Sequence, residues 1–194
     1  MQTTSPFIHF RTASVANLPS EWSEYFDLVN QRLLIAGLTA SEWPIALAEI
    51  YRVLKPKGRV QLVEIDHAAL SKGSTQNKRW RDLYDRLYTK CGLIWNCAEQ
   101  LPDLLQQAGF TNIISESKIL PSGQAWGEIG EMGAFTTTGV RRGLKSSFIR
   151  EGILTAEEFE DIFRDMVEEF NGPDKVAQPF RIVTAQKPGN WAKL

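Results

Sequence analysis

His67 stands immediately after Asp66 and three residues after Glu64. An imidazole changes charge near neutral pH, and neighbouring carboxylates can orient it and stabilise its protonated form, so this trio could supply a general base. His67 is therefore the catalytic candidate. The same three residues suit a purely structural histidine at the end of a strand, and residue order alone leaves both roles open. Cys91 and Cys97 are the only cysteines, too few and too isolated for a disulfide framework or a metal knuckle, and two reduced thiols are expected. No metal site is predicted.

These residues close a longer pattern running from Asp27 to Asp66. Phe26-Asp27-Leu28-Val29 opens an extended apolar segment that leaves through Asn30-Gln31-Arg32. Thr39 with Glu42 three residues later forms a capping box, and Pro44 falls in the first helical turn, where its missing N–H costs nothing. Ile45, Leu47, Ala48, Tyr51 and Leu54 recur at helical spacing and predict one apolar face. Pro56 and Gly58 end the helix. Val60, Leu62, Val63 and Ile65 then make a near-continuous apolar run, as expected of a strand buried on both faces of a parallel sheet.

Ala48-Glu49-Ile50-Tyr51-Arg52-Val53-Leu54-Lys55-Pro56-Lys57-Gly58 followed by Val60-Gln61-Leu62-Val63-Glu64-Ile65-Asp66 resembles the later half of the core of class I S-adenosylmethionine (SAM) dependent methyltransferases. With Ala13-Ser14-Val15-Ala16-Asn17-Leu18-Pro19 upstream, the similarity is to the fungal methyltransferases of secondary metabolism. Such enzymes usually carry glycine where this chain has Lys57. The resemblance implies an α/β fold, a Rossmann-like, mostly parallel sheet with helices on both faces, holding SAM beyond the carboxyl ends of its strands. It implies cofactor contacts from Ser14, Ala16 and Asn17 in the loop after a strand at Phe7–Phe10, and from Gln31 and Arg32 at the exit of the next strand. Asn17 can equally be a turn-former, and Arg32 a surface residue.

The family's first strand leads into a Gly-x-Gly-x-Gly-like loop, and its second ends in an acidic residue that holds the ribose. Neither is found here. Gly127, Gly130 and Gly133 are evenly spaced but lie far downstream and follow no strand-like run. The expectation is therefore an N-terminally truncated fold with half of the cofactor site and an unpaired sheet edge. That edge is expected to be covered by the Phe7–Phe10 strand, or to pair with a partner or a second copy in a homodimer, unless the chain is a fragment.

Farther along, Trp80, Leu83, Tyr84, Leu87 and Tyr88 mark an amphipathic helix within 77–93, placed by the resemblance over the substrate side of the sheet. A second helix is predicted over 98–109, and a strand from Phe110 toward Leu120. Pro121 to Gly143 is rich in glycine and reads as a long irregular loop or a helix with glycine breaks. In the resembled enzymes an insertion here shapes the acceptor pocket, which makes Trp126, Met132 and Phe135 substrate-binding candidates. Thr155 and Glu158 form another capping box ahead of a strongly amphipathic helix through Phe170, and Phe180–Ala185 reads as a final strand.

The 194 residues, 43% hydrophobic and 23% charged, suffice for one domain, 1–194, with a sizeable core. A net charge of −1 provides no general attraction for nucleic acid or an anionic membrane. No signal peptide and no apolar run near the roughly 20 residues of a membrane span is seen, so a cytoplasmic protein is expected. Two functions fit. One is SAM-dependent methylation of a small molecule in secondary metabolism; the other is a methyltransferase-derived auxiliary protein that binds an intermediate or partner without using SAM.

Overall fold

A computed structural model describes residues 7–72 and 74–189, with the side chains of 71 and 72 left aside. The polar opening at 1–5, expected to fray, and the tail after 189 lie outside the described residues.

The first unit is the predicted one. Strand β1 (Phe26–Arg32) leads into helix α1 (Glu42–Val53), which runs straight into strand β2 (Leu54–Ile65), and β1 and β2 pair in parallel. Half of the expected capping box forms: Glu42 Oε2 accepts the Thr39 N–H at 2.8 Å, while the Thr39 hydroxyl donates to the same carboxylate. The buried stripe of α1 is Trp43, Ala46, Leu47, Ile50 and Val53, so the predicted face is rotated and Ile45 is exposed. Trp43, the largest apolar side chain of the helix, is fully buried and sets that rotation.

The ladder shifts register at the start of β2, where Phe26 pairs with Leu54 but Leu28 with Arg59. The intervening Lys-Pro-Lys-Gly turn bulges out. Lys57 has φ 66, a left-handed backbone that glycine adopts without cost. The motif that carries the resemblance is thus a bulge signature, and this chain keeps the bulge with a lysine.

Helices α2 (Thr75–Lys90) and α3 (Cys97–Gln107) follow, then strand β3 (Thr111–Ser122), helices α4 (Glu128–Gly143), α5 (Lys145–Arg150) and α6 (Ala156–Phe170), and strand β4 (Val176–Gln186). The sheet order is β1-β2-β4-β3. Strand β4 is antiparallel to both neighbours, so β1, β2 and β3 all point one way with β4 inserted against them. The fold is α/β and Rossmann-like, with helices on both faces. Val60 and Leu62 of β2 with Val183 and Ala185 of β4 meet α1 and α3 in the hydrophobic core, whereas Ile65 and Phe180 face α2 and α4.

The glycine-rich segment is mostly helix. Its inner stripe is Gly130, Gly133, Thr137 and Arg141. A Cβ added at Gly133 would lie 1.8 Å from Pro121 O, and one at Gly130 would lie 2.1 Å from Gly123 O. The glycines therefore allow the helix backbone to lie directly against the end of β3. They are packing residues, not breaks.

One predicted element is missing. Phe7–Phe10 forms no strand, and Phe7 and Phe10 are 91% and 82% exposed. Among the described residues nothing pairs with the outer edge of β1, so the first strand does not move over to cover it. A lone extended segment gains too little burial to offset the entropy of ordering it.

Candidate functional site

The loop assigned to the cofactor is held by α1. Glu49 accepts the Leu18 N–H at 2.7 Å, and Arg52 donates to Leu18 O, Pro19 O and Ser23 Oγ while pairing with Glu49 at 2.8 Å. This Glu-x-x-Arg clamp lies inside the motif that carries the resemblance, where its two members are separated by less than one helical turn. It fixes the turn in which Asn17 N–H bonds to Ser14 O and Ala16 N–H to Ser14 Oγ. Between that segment, β1 and α1 runs a groove of about 320 Å³ lined by Val15, Leu18, Trp22, Val29, Gln31 and Ile50, among others.

Gln31 is 8% exposed, and among the described residues neither atom of its side-chain amide has a hydrogen-bond partner. A buried, unsatisfied amide costs free energy unless something fills the space beside it. Arg32, one residue on, is exposed. Successive strand residues alternate faces, so the structure brings Gln31 to the groove and leaves Arg32 outside. Ser14 and Asn17 are exposed at its end and Ala16 is half-buried.

The trio around His67 disperses. Glu64 turns toward the exit of β1, accepting the Leu34 N–H at 2.8 Å and the Ile35 N–H at 3.1 Å; burial raises its pKa to about 7. Asp66 pairs with Arg181 at 2.7 Å and caps the Ala69 N–H. His67 is 1% exposed and stacks on Tyr84 with ring centroids 4.0 Å apart, and among the described residues neither ring nitrogen has a partner. Burial first, and the Arg141 charge second, push its pKa down to about 3. It is a neutral imidazole and a weak base, so its surroundings favour the structural role over the catalytic one.

Of the three substrate candidates, Trp126 is tied to the start of β4 by its indole N–H, 2.7 Å from Val176 O. Met132 and Phe135 lie on the outer face of α4, 67% and 83% exposed, beside exposed Ile129 and Val140. They do not share a cavity with Gln31. Sequence reasoning missed Arg141, which is 1% exposed beneath α2 and α6. Its spacing from Gly133 and Thr137 was the available signal.

Parallel β1 and β2 joined through α1, with an antiparallel β4 set inside the sheet, define a Rossmann-like α/β domain with a groove at the loop before β1. The comparisons agree with the resemblance read from the sequence. Residues 1–62 match the family described as methyltransferase domain. The N-methyltransferase sirN of the fungus Leptosphaeria maculans is 28% identical over 180 residues, covering 88% of this chain and 62% of that protein. The chain thus spans less than two thirds of that relative. Among solved structures, the YcgJ protein of Bacillus subtilis shares the fold at a TM-score of 0.50, with 15% identity, over 93% of this chain and 71% of that one. A SAM-dependent methyltransferase of Thermotoga maritima matches at a TM-score of 0.47 with 16% identity, over 90% and 61% of the two chains. Among the described residues no helix is long and apolar enough to cross a membrane, and no group of His, Cys, Asp and Glu is placed to hold a metal ion.

Proposed function

We propose that this protein is a SAM-dependent methyltransferase of small molecules, acting in the cytoplasm in a pathway of secondary metabolism. The observation that carries the reading is the orphaned amide of Gln31, buried beside an apolar groove at the end of β1. The groove's apolar walls and single amide fit one end of an adenosyl group. SAM would supply an electrophilic methyl group. The chain's own residues would do the rest: Gln31 would bind a polar atom of the cofactor, Ser14, Ala16 and Asn17 would flank its base, and the Glu49–Arg52 clamp would keep that loop in register. Most of the rate would come from holding acceptor and donor in line. His67, neutral and enclosed, would keep Tyr84 in place.

Titration calorimetry with SAM and with its demethylated product tests this. Binding on the order of micromolar is expected, with Gln31→Leu weakening it about tenfold through one lost hydrogen-bond partner. No heat with either ligand would favour the auxiliary-protein reading, which is supported by the lack of Gly-x-Gly-x-Gly spacing after any strand of the described residues; Gly127, Gly130 and Gly133 do follow a strand, β3, but are spaced differently.

The open edge of β1 belongs to the same proposal. It presents unpaired backbone groups and Leu28, 59% exposed, an arrangement that invites pairing with another chain. A homodimer joined along β1 is expected by size exclusion with light scattering, and Leu28→Lys should shift it toward monomer. A wild-type monomer at every concentration would remove the dimer.

A further inference from the structure

Arg141 is almost fully enclosed and forms no direct ion pair with a carboxylate among the described residues, although the Tyr84 hydroxyl and the more distant Glu169 charge both favour its charged form. Its guanidinium lies over the Trp80 ring at 4.8 Å. Nη1 reaches Met166 Sδ at 2.7 Å, Nη2 reaches Gln178 Oε1 at 3.4 Å, and Nε has no partner among the described residues. Burial lowers its pKa, but a guanidinium starts so high that it stays charged. Neutral acceptors and a ring face are poor compensation for a buried cation, which is costly when unpaired. Five N–H donors in one plane are best matched by a carboxylate.

Beside the guanidinium is a cavity of about 30 Å³ lined by Arg141, Tyr84, Thr137, Gln178, Ile65 and Phe180, among others. One water needs about 10–15 Å³ on this measure, so there is room for the two oxygens of a carboxylate. Thr136 and the 47%-exposed Val140 stand at its rim. Ile65 ends β2, so the cavity lies at the carboxyl end of the parallel strands, where α/β sheets bind ligands. Of the acids near the site among the described residues, Asp66 is paired with Arg181, and Glu169, whose charge favours the charged guanidinium, accepts from Ser74 Oγ.

We propose that Arg141 is the floor of an acid-binding subsite, and that the small molecule this protein acts on carries a carboxylate seated there. Ile65 and Phe180 would pack against the apolar part next to that group, and the Thr136 and Thr137 hydroxyls would flank it. The proposal rests on the methyltransferase reading for its biological meaning, but the subsite itself does not depend on SAM.

Thermal-shift and calorimetric titrations of the full chain with acetate, butyrate and benzoate, at fixed ionic strength, test the subsite against butyramide and benzamide. The carboxylates should raise Tm in a saturable way, and the amides should not. Arg141→Met removes the buried charge while keeping an apolar stem, and should weaken carboxylate binding about tenfold or more. Val140→Trp leaves Arg141 in place and blocks the rim, so it should cause the same loss and decides the matter if Arg141→Met fails to fold. Equal behaviour of acids and amides, or unchanged carboxylate binding in the variants, overturns the proposal. A protein that binds SAM but no carboxylate loses the subsite and keeps the function; one that binds carboxylates but not SAM does the reverse.

Discussion

Gly133→Ala is expected to cost about 3 kcal/mol of stability, at the upper end of what overpacking usually does. The new methyl carbon would sit 1.8 Å from Pro121 O and 3.3 Å from Leu120 Cγ. The first of these obstacles is a backbone carbonyl at the end of β3, which has no rotamer to escape into, so the whole of α4 must move outward. That movement would pull Thr137 from Ser122, whose hydroxyls are 3.4 Å apart, and Arg141 from Gln178. For a chain of this length the melting temperature should fall on the order of 10 °C. Gly139→Ala in the same helix is the control. Among the described residues nothing lies within 4 Å of where its added Cβ would sit, so the change should stabilise the helix by about 1 kcal/mol through propensity alone. Opposite signs from two glycines six residues apart would show close packing at work; equal effects would show that α4 does not lie against β3 as described.

The second large effect is on the pH dependence of stability, where two buried groups oppose each other. Glu64 is raised from 4.5 to about 7, so the folded state holds a proton that the unfolded state has lost. Its contribution is fully present below about pH 4.5 and is lost as pH rises through 7, amounting to about 3 kcal/mol. His67 is lowered from 6.5 to about 3, so the unfolded state takes up a proton that the folded state refuses. Its contribution is present above pH 6.5 and is lost as pH falls toward 3. Between about pH 4.5 and 6.5 the two slopes, each about 1.4 kcal/mol per pH unit, cancel. Wild-type stability should therefore be flat in that window.

Single variants should uncover the slopes. Glu64→Gln should lose stability as pH falls from 6.5, and His67→Phe should lose it as pH rises from 4.5. Urea unfolding at half-unit pH steps measures both. A wild-type curve that slopes steeply through the window, or variants that slope in the same direction, would contradict the burial of one of these groups. The Glu64 variant also bears on the site, because that carboxyl holds the backbone of Leu34 and Ile35 just beyond Gln31.

The order and type of elements were legible in the sequence because they depend on local patterning. The two capping boxes, the apolar run of β2 and the stripes of α2 and α6 are read within a few residues. Trp80, Leu83, Tyr84, Leu87 and Tyr88 are all buried as their spacing predicts. The capping box at Thr155 forms completely, with both reciprocal hydrogen bonds present. The bulge motif at Lys55–Gly58 was recognisable for the same reason: its geometry is set by its own backbone.

The site was less legible, since proximity across the fold has no local signature. Glu64, Asp66 and His67 are near neighbours in the chain, yet one holds the exit of β1, one pairs with Arg181 and one stacks under Tyr84. Alternation along β2 and the turn after it decide this, and they depend on which face each helix covers. Arg141 is one half of an Arg-Arg pair in the last turn of α4, with no local sign of burial. Only the direct contact of Gly130 and Gly133 with β3 turns it inward, while Arg142 faces Glu160 at 3.2 Å. The residues themselves determined which segments coil and which extend; long-range packing, which sets the rotation of each helix against the sheet, decided which polar groups are sealed in and left in want of a partner.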